Sequence, residues 1–462
     1  MEIKRVILKN IGLFENLVIP LAPTQKNPSN ITVFVGNNGT GKTSVLQSLA
    51  TSLSWLVARL RTEKGSGSFI SEDSILNKTN TAAIEIEICD ALSLSDYSNK
   101  SEICDRFEWT IAKTRKGRKA QYNSQLTYCT SLANHYRNVL THDEQTSLPL
   151  IAFYTVERGV LDIPLKIRTK HTFSQLDAYD NSLNQGVDFR RFFEWFRERE
   201  DTENESGISE DVLRALRPLL ETNQDVWQAL KKVQASAKDR QLTAVRTAIS
   251  QFMPQMENLR VRRQPRLHMA IDKNGETLNV AQLSQGEKSL MALVGDIARR
   301  LTMLNPALDN PLTGDGIVLI DEVDLHLHPS WQRSLCDQLI ETFPNCQFVL
   351  TTHSPLVISD CKNVLVYTLT NGELQELPSQ YGQDANTVLL DVMDTSIRNQ
   401  EIDTKLNDLL DAIQDFQLSQ AQELLTQLTA ELPANNLELV KAKLLLRKQE
   451  LRHQKIGSET PS

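Results

Sequence analysis

The stretch ITVFVGNNGTGKT, Ile31 to Thr43, constrains the fold more than any other part of the chain. Its first five residues are β-branched or aromatic, the composition of a buried strand. Gly36, Gly39 and Gly41 then allow a tight turn that aims backbone N–H groups at one point. After it, Val45, Leu46, Leu49, Leu53, Leu56 and Leu60 recur at helical spacing. The strand, glycine turn and helix match GxxxxGK[ST] at every position, so phosphate is the expected ligand. The helix N-terminus adds unpaired N–H groups and partial positive charge. Lys42 would neutralise the β and γ phosphates, and Thr43 would place a hydroxyl on magnesium. The expected cofactors are therefore ATP and Mg2+, held by Gly36, Asn37, Asn38, Gly39, Thr40, Gly41, Lys42, Thr43 and Ser44. The bland alternative is a glycine turn before an ordinary helix, and the strand–helix context weighs against it.

A phosphate loop of this kind needs a second carboxylate for the cation and a group to position the attacking water. GIVLIDE, Gly316 to Glu322, offers both: an apolar strand delivers Asp321 and Glu322 at its end. Asp321 is expected to hold Mg2+ together with Thr43, and Glu322 to polarise the water. The segment continues as VDLHLHPSW. His326 and His328, spaced i, i+2, could suit a transition metal, but they follow the strand in a loop with no third nitrogen or sulfur ligand nearby in sequence. Packing or hydrogen bonding at a subunit contact is the stronger reading for them.

The length of 462 residues allows two to four domains or one large domain with insertions. A net charge of -8 excludes a wholly nucleic-acid-binding surface and leaves only local basic patches. Cys89, Cys104, Cys129, Cys336, Cys346 and Cys361 contain no CxxC pair and read as reduced thiols of a cytoplasmic protein. MEIKRVILKN alternates like a strand and not like a leader peptide, and no apolar run is long enough to cross a bilayer, so no membrane partner is expected.

Pattern shifts divide the chain. Residues 1–165 are strand-rich around the glycine loop, with IKRVILKN, LVIPL, AAIEIEICD, RFEWTIAK, AQYNSQL and LPLIAFYTV as expected strands. Residues 166–254 read as a charged helical insertion. Residues 255–385 carry a strand pair around Asn274-Gly275 and then the Asp-Glu strand. Residues 386–453 are amphipathic and leucine-rich, and 454–462 form a polar tail.

LSQGEKSL, Leu283 to Leu290, lies about one helix and a loop upstream of the Asp-Glu strand, and FVLTTHSP ends a later strand at His353. The order of glycine loop, LSQGEK, Asp-Glu and strand-ending histidine resembles the ABC class of ATPases. That resemblance implies an α/β P-loop ATPase head of two lobes, 1–165 and 255–385, with an antiparallel β-subdomain, a helical insertion and a C-terminal helical region. It makes LSQGEK the signature motif and His353 the switch histidine. Ser284, Gly286 and Glu287 would then cap the γ-phosphate held by Lys42 of a second copy, and Lys42, Glu322 and His353 would be catalytic.

The forms LSQGEK and DEVDLHLHP resemble the SMC/RecF-like branch, which includes the OLD nucleases, and DLHLHP would be its D-loop at the dimer interface. OLD nucleases carry a C-terminal Toprim domain, whereas the roughly hundred residues after His353 read as helical without its acidic cluster. FYTVERGVLD, FRRFFEWFREREDTENE and YGQDANTVLLDVM resemble the PtuA-type ATPases of the Septu anti-phage system, which also occur as retron effectors. The implied partners are a second copy in a head-to-tail dimer or higher oligomer and an HNH nuclease of the PtuB kind. In a retron they would include a reverse transcriptase with its multicopy DNA. Two rivals stay open: a nucleotide-sensing scaffold with little hydrolysis, and a RecF/SMC-like DNA-repair ATPase without a nuclease.

Other residues leave alternatives. Gln175 could be the glutamine of the ATPase class or a solvated loop side chain, the latter being favoured. Tyr154 and Arg158 could line the nucleotide site or be structural. The basic stretches KTRKGRK (Lys113 to Lys119) and RVRRQPR (Arg260 to Arg266) could touch DNA, though solvated charge beside hairpins is the commoner outcome. The FFEWFREREDTENE helix reads as packing rather than a catalytic carboxylate set, and the C-terminal leucines could be core, dimer seam or partner dock.

Overall fold

The computed structural model describes residues 1–91, 104–156, 173–184, 189–206, 238–393, 395–433 and 435–458. It divides into two units, Met1–Val388 and Leu389–Ser462.

In the first unit, β1 (Glu2–Ile11), β2 (Phe14–Pro20), β4 (Thr81–Asp90) and β5 (Asp105–Thr114) form an antiparallel sheet in the order β2-β1-β4-β5. Burial alternates along β2, as a strand with one wet face requires. The central sheet is different. Its strands β3 (Ile31–Val35), β6 (Leu150–Tyr154), β10 (Gly316–Ile320) and β11 (Cys346–Thr351) are buried at every residue. Such continuous burial belongs to parallel strands covered on both faces. The order is β13-β12-β3-β11-β10-β6, with β12 (Leu365–Thr370) and β13 (Glu373–Glu376) joined by Asn371-Gly372, both at positive φ.

A third sheet holds β7 (Met256–Arg262), β8 (His268–Lys273) and β9 (Glu276–Asn279). Asn274-Gly275 turns β8 into β9 as expected, but the expected strand pair is a triplet, because Gln264-Pro265 separates β7 from β8.

The described α-helices that begin in this unit are α1 (Lys42–Arg61), α2 (Thr127–His142), α3 (Phe189–Ser206), α4 (Arg240–Phe252), α5 (Gln285–Leu304), α6 (Pro329–Thr342), α7 (Pro355–Asp360) and α8 (Ala385–Asp391). Helix α3 buries Phe189, Phe192, Phe193, Trp195 and Phe196, which makes it the packing helix expected from its sequence. Its carboxylates are structural too: Glu200 accepts the Val261 N–H at 2.8 Å and pairs with Arg246 at 3.0 Å. No helix among the described residues is long and apolar enough to cross a membrane.

Two expectations need correction. AQYNSQL forms no strand; only Gln125 bridges to Thr110, and α2 follows immediately. The cysteines are not six free thiols. Cys89 is bonded to Cys104 and Cys336 to Cys361, while Cys129 and Cys346 stay free and buried. The paired residues are separated by 15 and 25 positions, so local spacing does not show them. Burial pushes the free Cys129 thiol up to about 12.

The residues from Leu389 onward pack as α9 (Gln400–Gln414), α10 (Leu418–Glu431) and α11 (Leu437–Ser458). Leu406, Leu409, Ile413, Leu428, Leu439 and Leu446 join in their core, so part of the C-terminal leucine pattern is core.

A charged cluster in the first unit escaped the sequence pattern. Asp296, wholly buried on α5, accepts bonds from Arg299 at 2.6 Å, Arg300 at 2.7 Å and the Tyr154 hydroxyl at 3.0 Å. Arg300 also reaches the Asp180 carbonyl at 3.1 Å. Burial alone would raise the Asp296 pKa, but Arg300 and Arg299 overcome it and hold the carboxyl down at about 2. A depressed carboxylate contributes stability that is complete above its unfolded value and is lost as pH falls through its folded value. Asp296→Asn should therefore cost about 3–5 kcal/mol near neutral pH by leaving two buried guanidiniums uncompensated. In denaturant melts its gap to the parent should close as pH drops from about 4 towards 2. A variant equal to the parent at neutral pH would remove the cluster from the stabilising interactions.

Candidate active site

Parallel strands all end at one edge of a sheet, and crevices at such edges bind ligands. Here β11 lies between β3 and β10, with Thr351 opposite Phe34 and Leu350 opposite Ile320. Three segments therefore leave the same edge side by side: the glycine loop after β3, Asp321-Glu322 after β10, and Thr352-His353 after β11.

The glycine loop is built by backbone conformations that side chains resist. Gly36, Gly39 and Gly41 have φ of 144°, 82° and 99°. A Cβ on Gly41 would lie 2.5 Å from the Phe14 ring, so β2 closes one side of the loop. A Cβ on Gly39 would meet nothing within 4 Å. Lys42 folds back over the loop, donating to the Gly36 carbonyl at 2.8 Å and the Asn37 carbonyl at 2.9 Å. Burial lowers the Lys42 pKa, and Asp321, Glu322 and Asp324 pull it the other way without cancelling the fall.

Thr43, one residue on, donates its hydroxyl to Asp321 Oδ2 at 2.9 Å. A hydroxyl beside a carboxylate is the hard oxygen set that magnesium takes, and a glycine cradle with a lysine at its rim suits a triphosphate. The residues fit ATP with Mg2+.

Asp321 is 1% exposed and fixed on three sides. Its N–H donates to the Tyr154 carbonyl at 2.9 Å, and its Oδ1 accepts the Thr351 hydroxyl at 2.6 Å while Oδ2 faces Thr43. Glu322 has φ 46° and donates its N–H to the Thr351 hydroxyl at 2.7 Å. Asp324 Oδ1 accepts the Thr352 hydroxyl at 2.5 Å and the His353 N–H at 3.2 Å. The turn after β10 is thus laced to the end of β11, bringing Lys42, Thr43, Asp321, Glu322 and His353 into one neighbourhood.

The LSQGEK segment forms a second cluster. Ser284 caps α5 in a reciprocal box with Glu287: the Glu287 N–H donates to Ser284 Oγ at 3.3 Å and the Ser284 N–H to Glu287 Oε2 at 2.9 Å. Lys273 on β8 holds Glu287 Oε1 at 2.7 Å, and despite burial these bonds keep its pKa lowered. Glu287 therefore secures its own helix start. A Cβ on Gly286 would sit 2.2 Å from the His326 carbonyl, so the LSQGEK and DLHLHP segments pack directly and glycine is required there. His326 has φ 63°, and His328 caps α6 by accepting the Ser330 N–H at 3.2 Å.

Other candidates are placed elsewhere. Tyr154 is buried against Asp296, a structural position. Gln175 is half-buried and bonds the carbonyls of Thr146 at 2.6 Å and Leu304 at 2.8 Å, so it is no solvated side chain. Arg158 lies outside the described residues. In the basic stretches, Arg115 bonds the Ile75 carbonyl at 2.9 Å and Arg260 bonds Asp272 at 2.8 Å. The sequence reading missed Thr351 and Thr352; their signal was two adjacent hydroxyls directly before His353.

The sequence matches the AAA domain family over residues 5–257 and the AAA ATPase domain family over residues 164–358. It is 34% identical to the Escherichia coli retron Ec83 probable ATPase, over 82% of this chain and 73% of that protein. It is 31% identical to the retron Vc95 probable ATPase of Vibrio cholerae serotype O1 biovar El Tor, over 85% and 80%. The Septu protein PtuA of Bacillus mycoides (strain KBAB4) is 37% identical over 23% of this chain and 15% of that protein. Among solved structures, an SMC head bound to the C-winged helix domain of ScpA aligns at a TM-score of 0.43 and 16% identity, covering 82% of this chain and 97% of that one. With an α/β head of the ABC type and matches over most of its length, the chain belongs to the AAA-domain ATPase family of the retron Ec83 and Vc95 probable ATPases, to which Septu PtuA is related through shorter segments.

Proposed function

We propose that the chain binds and hydrolyses ATP between two head-to-tail copies and couples that cycle to an HNH-type nuclease on another chain, as part of a cytoplasmic anti-phage system. The observation that carries the ATPase reading is the 2.9 Å bond between Thr43 and Asp321, which joins the glycine loop to the Asp-Glu turn at one sheet edge.

Bound ATP with Mg2+ would supply the γ-phosphoryl group and the cation that neutralises it. The loop from Gly36 to Ser44 orients N–H groups towards the phosphates, and Lys42 sits at its rim. Thr43 and Asp321 would hold the cation. Glu322 orients the attacking water, and His353 lies at the end of the neighbouring strand. Ser284 and Gly286, whose helix start is fixed by Glu287, close the site of a second copy. The relation to retron and Septu ATPases supports a role in defence, and DNA or a reverse transcriptase with its multicopy DNA would be partners in a retron setting.

Four experiments test this reading. Lys42→Ala should abolish ATP binding in a nucleotide titration. Glu322→Gln should keep binding and lower phosphate release by roughly a hundredfold or more; parental turnover would remove Glu322 from the water-positioning role. Ser284→Arg should bind ATP without turning it over, and mixing it with Lys42→Ala subunits should restore partial turnover, since one composite site keeps both intact halves. No rescue at any mixing ratio would contradict the trans arrangement. Finally, the chain should co-purify with the nuclease encoded beside it, and plasmid cleavage should rise as ATP is withdrawn. Failure to co-purify, or cleavage indifferent to ATP and to Lys42→Ala, would sink the coupling and favour a repair-type ATPase.

A further inference from the structure

The chemistry proposed above gives no task to Thr351, the last residue of β11, whose side chain is wholly buried. Its hydroxyl is nevertheless used twice. It donates to Asp321 Oδ1 at 2.6 Å and accepts the Glu322 N–H at 2.7 Å. A threonine hydroxyl has one proton to give, and this geometry commits it to Asp321.

Both consequences fall on the reacting edge. With Oδ1 engaged, Asp321 presents Oδ2 to Thr43 at 2.9 Å, so the carboxylate is held in the rotamer that would share a cation with that hydroxyl. Glu322 stands at φ 46°, a backbone region that residues other than glycine rarely adopt. The bond from its N–H to Thr351 fixes that conformation and so sets the direction in which its side chain leaves the backbone.

Strand pairing does not need this hydroxyl. The backbone of Thr351 already holds the turn, because its carbonyl accepts the Val323 N–H at 2.9 Å, and β10 and β11 are paired along their length.

We propose that Thr351 is a positioning residue for ATP hydrolysis, its single hydroxyl setting both the cation-facing carboxylate of Asp321 and the backbone direction of Glu322. The proposal rests on the reading that Asp321 holds the cation and Glu322 orients the water.

Thr351→Val keeps the branching and volume and removes the hydroxyl, whereas Thr351→Ser keeps the hydroxyl. Thr351→Ala serves in place of the valine variant if that one does not fold, which melting without nucleotide will show. Two quantities are read on the full chain: binding of a fluorescent ATP analogue across a Mg2+ titration, and kcat and KM at saturating Mg2+. The valine variant should need several times more Mg2+ for half-maximal binding and should lose roughly ten- to a hundredfold in kcat, the range typical for groups that orient metal ligands, with KM close to parental. The serine variant should restore both. A valine variant that matches the parent in Mg2+ requirement and kcat, or a serine variant as impaired as valine, would overturn the proposal. Glu322→Gln is assayed in parallel. If it turns over like the parent, the underlying site assignment falls and takes this proposal with it; if it alone is impaired, only the role of Thr351 falls.

Discussion

The bond between Thr43 and Asp321 joins residues 278 positions apart and depends on nearly every other feature of the fold. It forms only if β3 and β10 are parallel and in register through β11, because that arrangement brings their C-terminal ends to one edge. It needs the glycine loop to turn sharply enough that α1 begins at Lys42 with Thr43 in its first turn. It also needs the Asp321 carboxylate to accept being buried, which the Thr43 and Thr351 hydroxyls make possible, while the Tyr154 carbonyl takes its backbone N–H. The hydroxyls proposed to serve the chemistry are thus also those that make the burial of a carboxylate tolerable.

The signature-like helix is anchored in a comparable way at both ends. Ser284 and Glu287 close its N-terminus, while Asp296, Arg299 and Arg300 lock its second half to Tyr154 on β6. β6 is the immediate parallel neighbour of β10. Gly286 rests on the His326 carbonyl in the segment that follows β10. Helix α5 and the Asp-Glu strand are therefore connected at two places, directly through Gly286 and His326 and by way of β6 through Tyr154.

Legibility in the sequence followed locality. The glycine loop, the GIVLIDE strand and the Asn274-Gly275 turn each depend on a few adjacent residues, so the sequence displays them directly. The missing pieces are pairings across the fold. Thr351 and Thr352 look like ordinary strand-end residues until β11 is placed beside β10. The Asp296 cluster reads as surface charge on a helix, because nothing in the sequence shows that Tyr154 and the 178–180 carbonyls converge on it. The Cys89–Cys104 and Cys336–Cys361 bonds are long-range in the same sense. AQYNSQL alternates like a strand but contributes only one bridge to β5, because its partners across the fold are missing among the described residues. His328, read as packing or hydrogen bonding at a subunit contact, also caps α6 by accepting the Ser330 N–H.

The central claim is that Thr43 and Asp321 act as one unit on one cation. A double-mutant cycle tests it most directly: Mg2+-dependent ATP affinity measured for the parent, Thr43→Val, Asp321→Asn and the double variant. The account predicts strong coupling, with the double variant losing little more Mg2+-dependent affinity than the more impaired single variant. Losses that simply add would mean that the two groups act independently, and would contradict a shared magnesium at the meeting of the two strand ends.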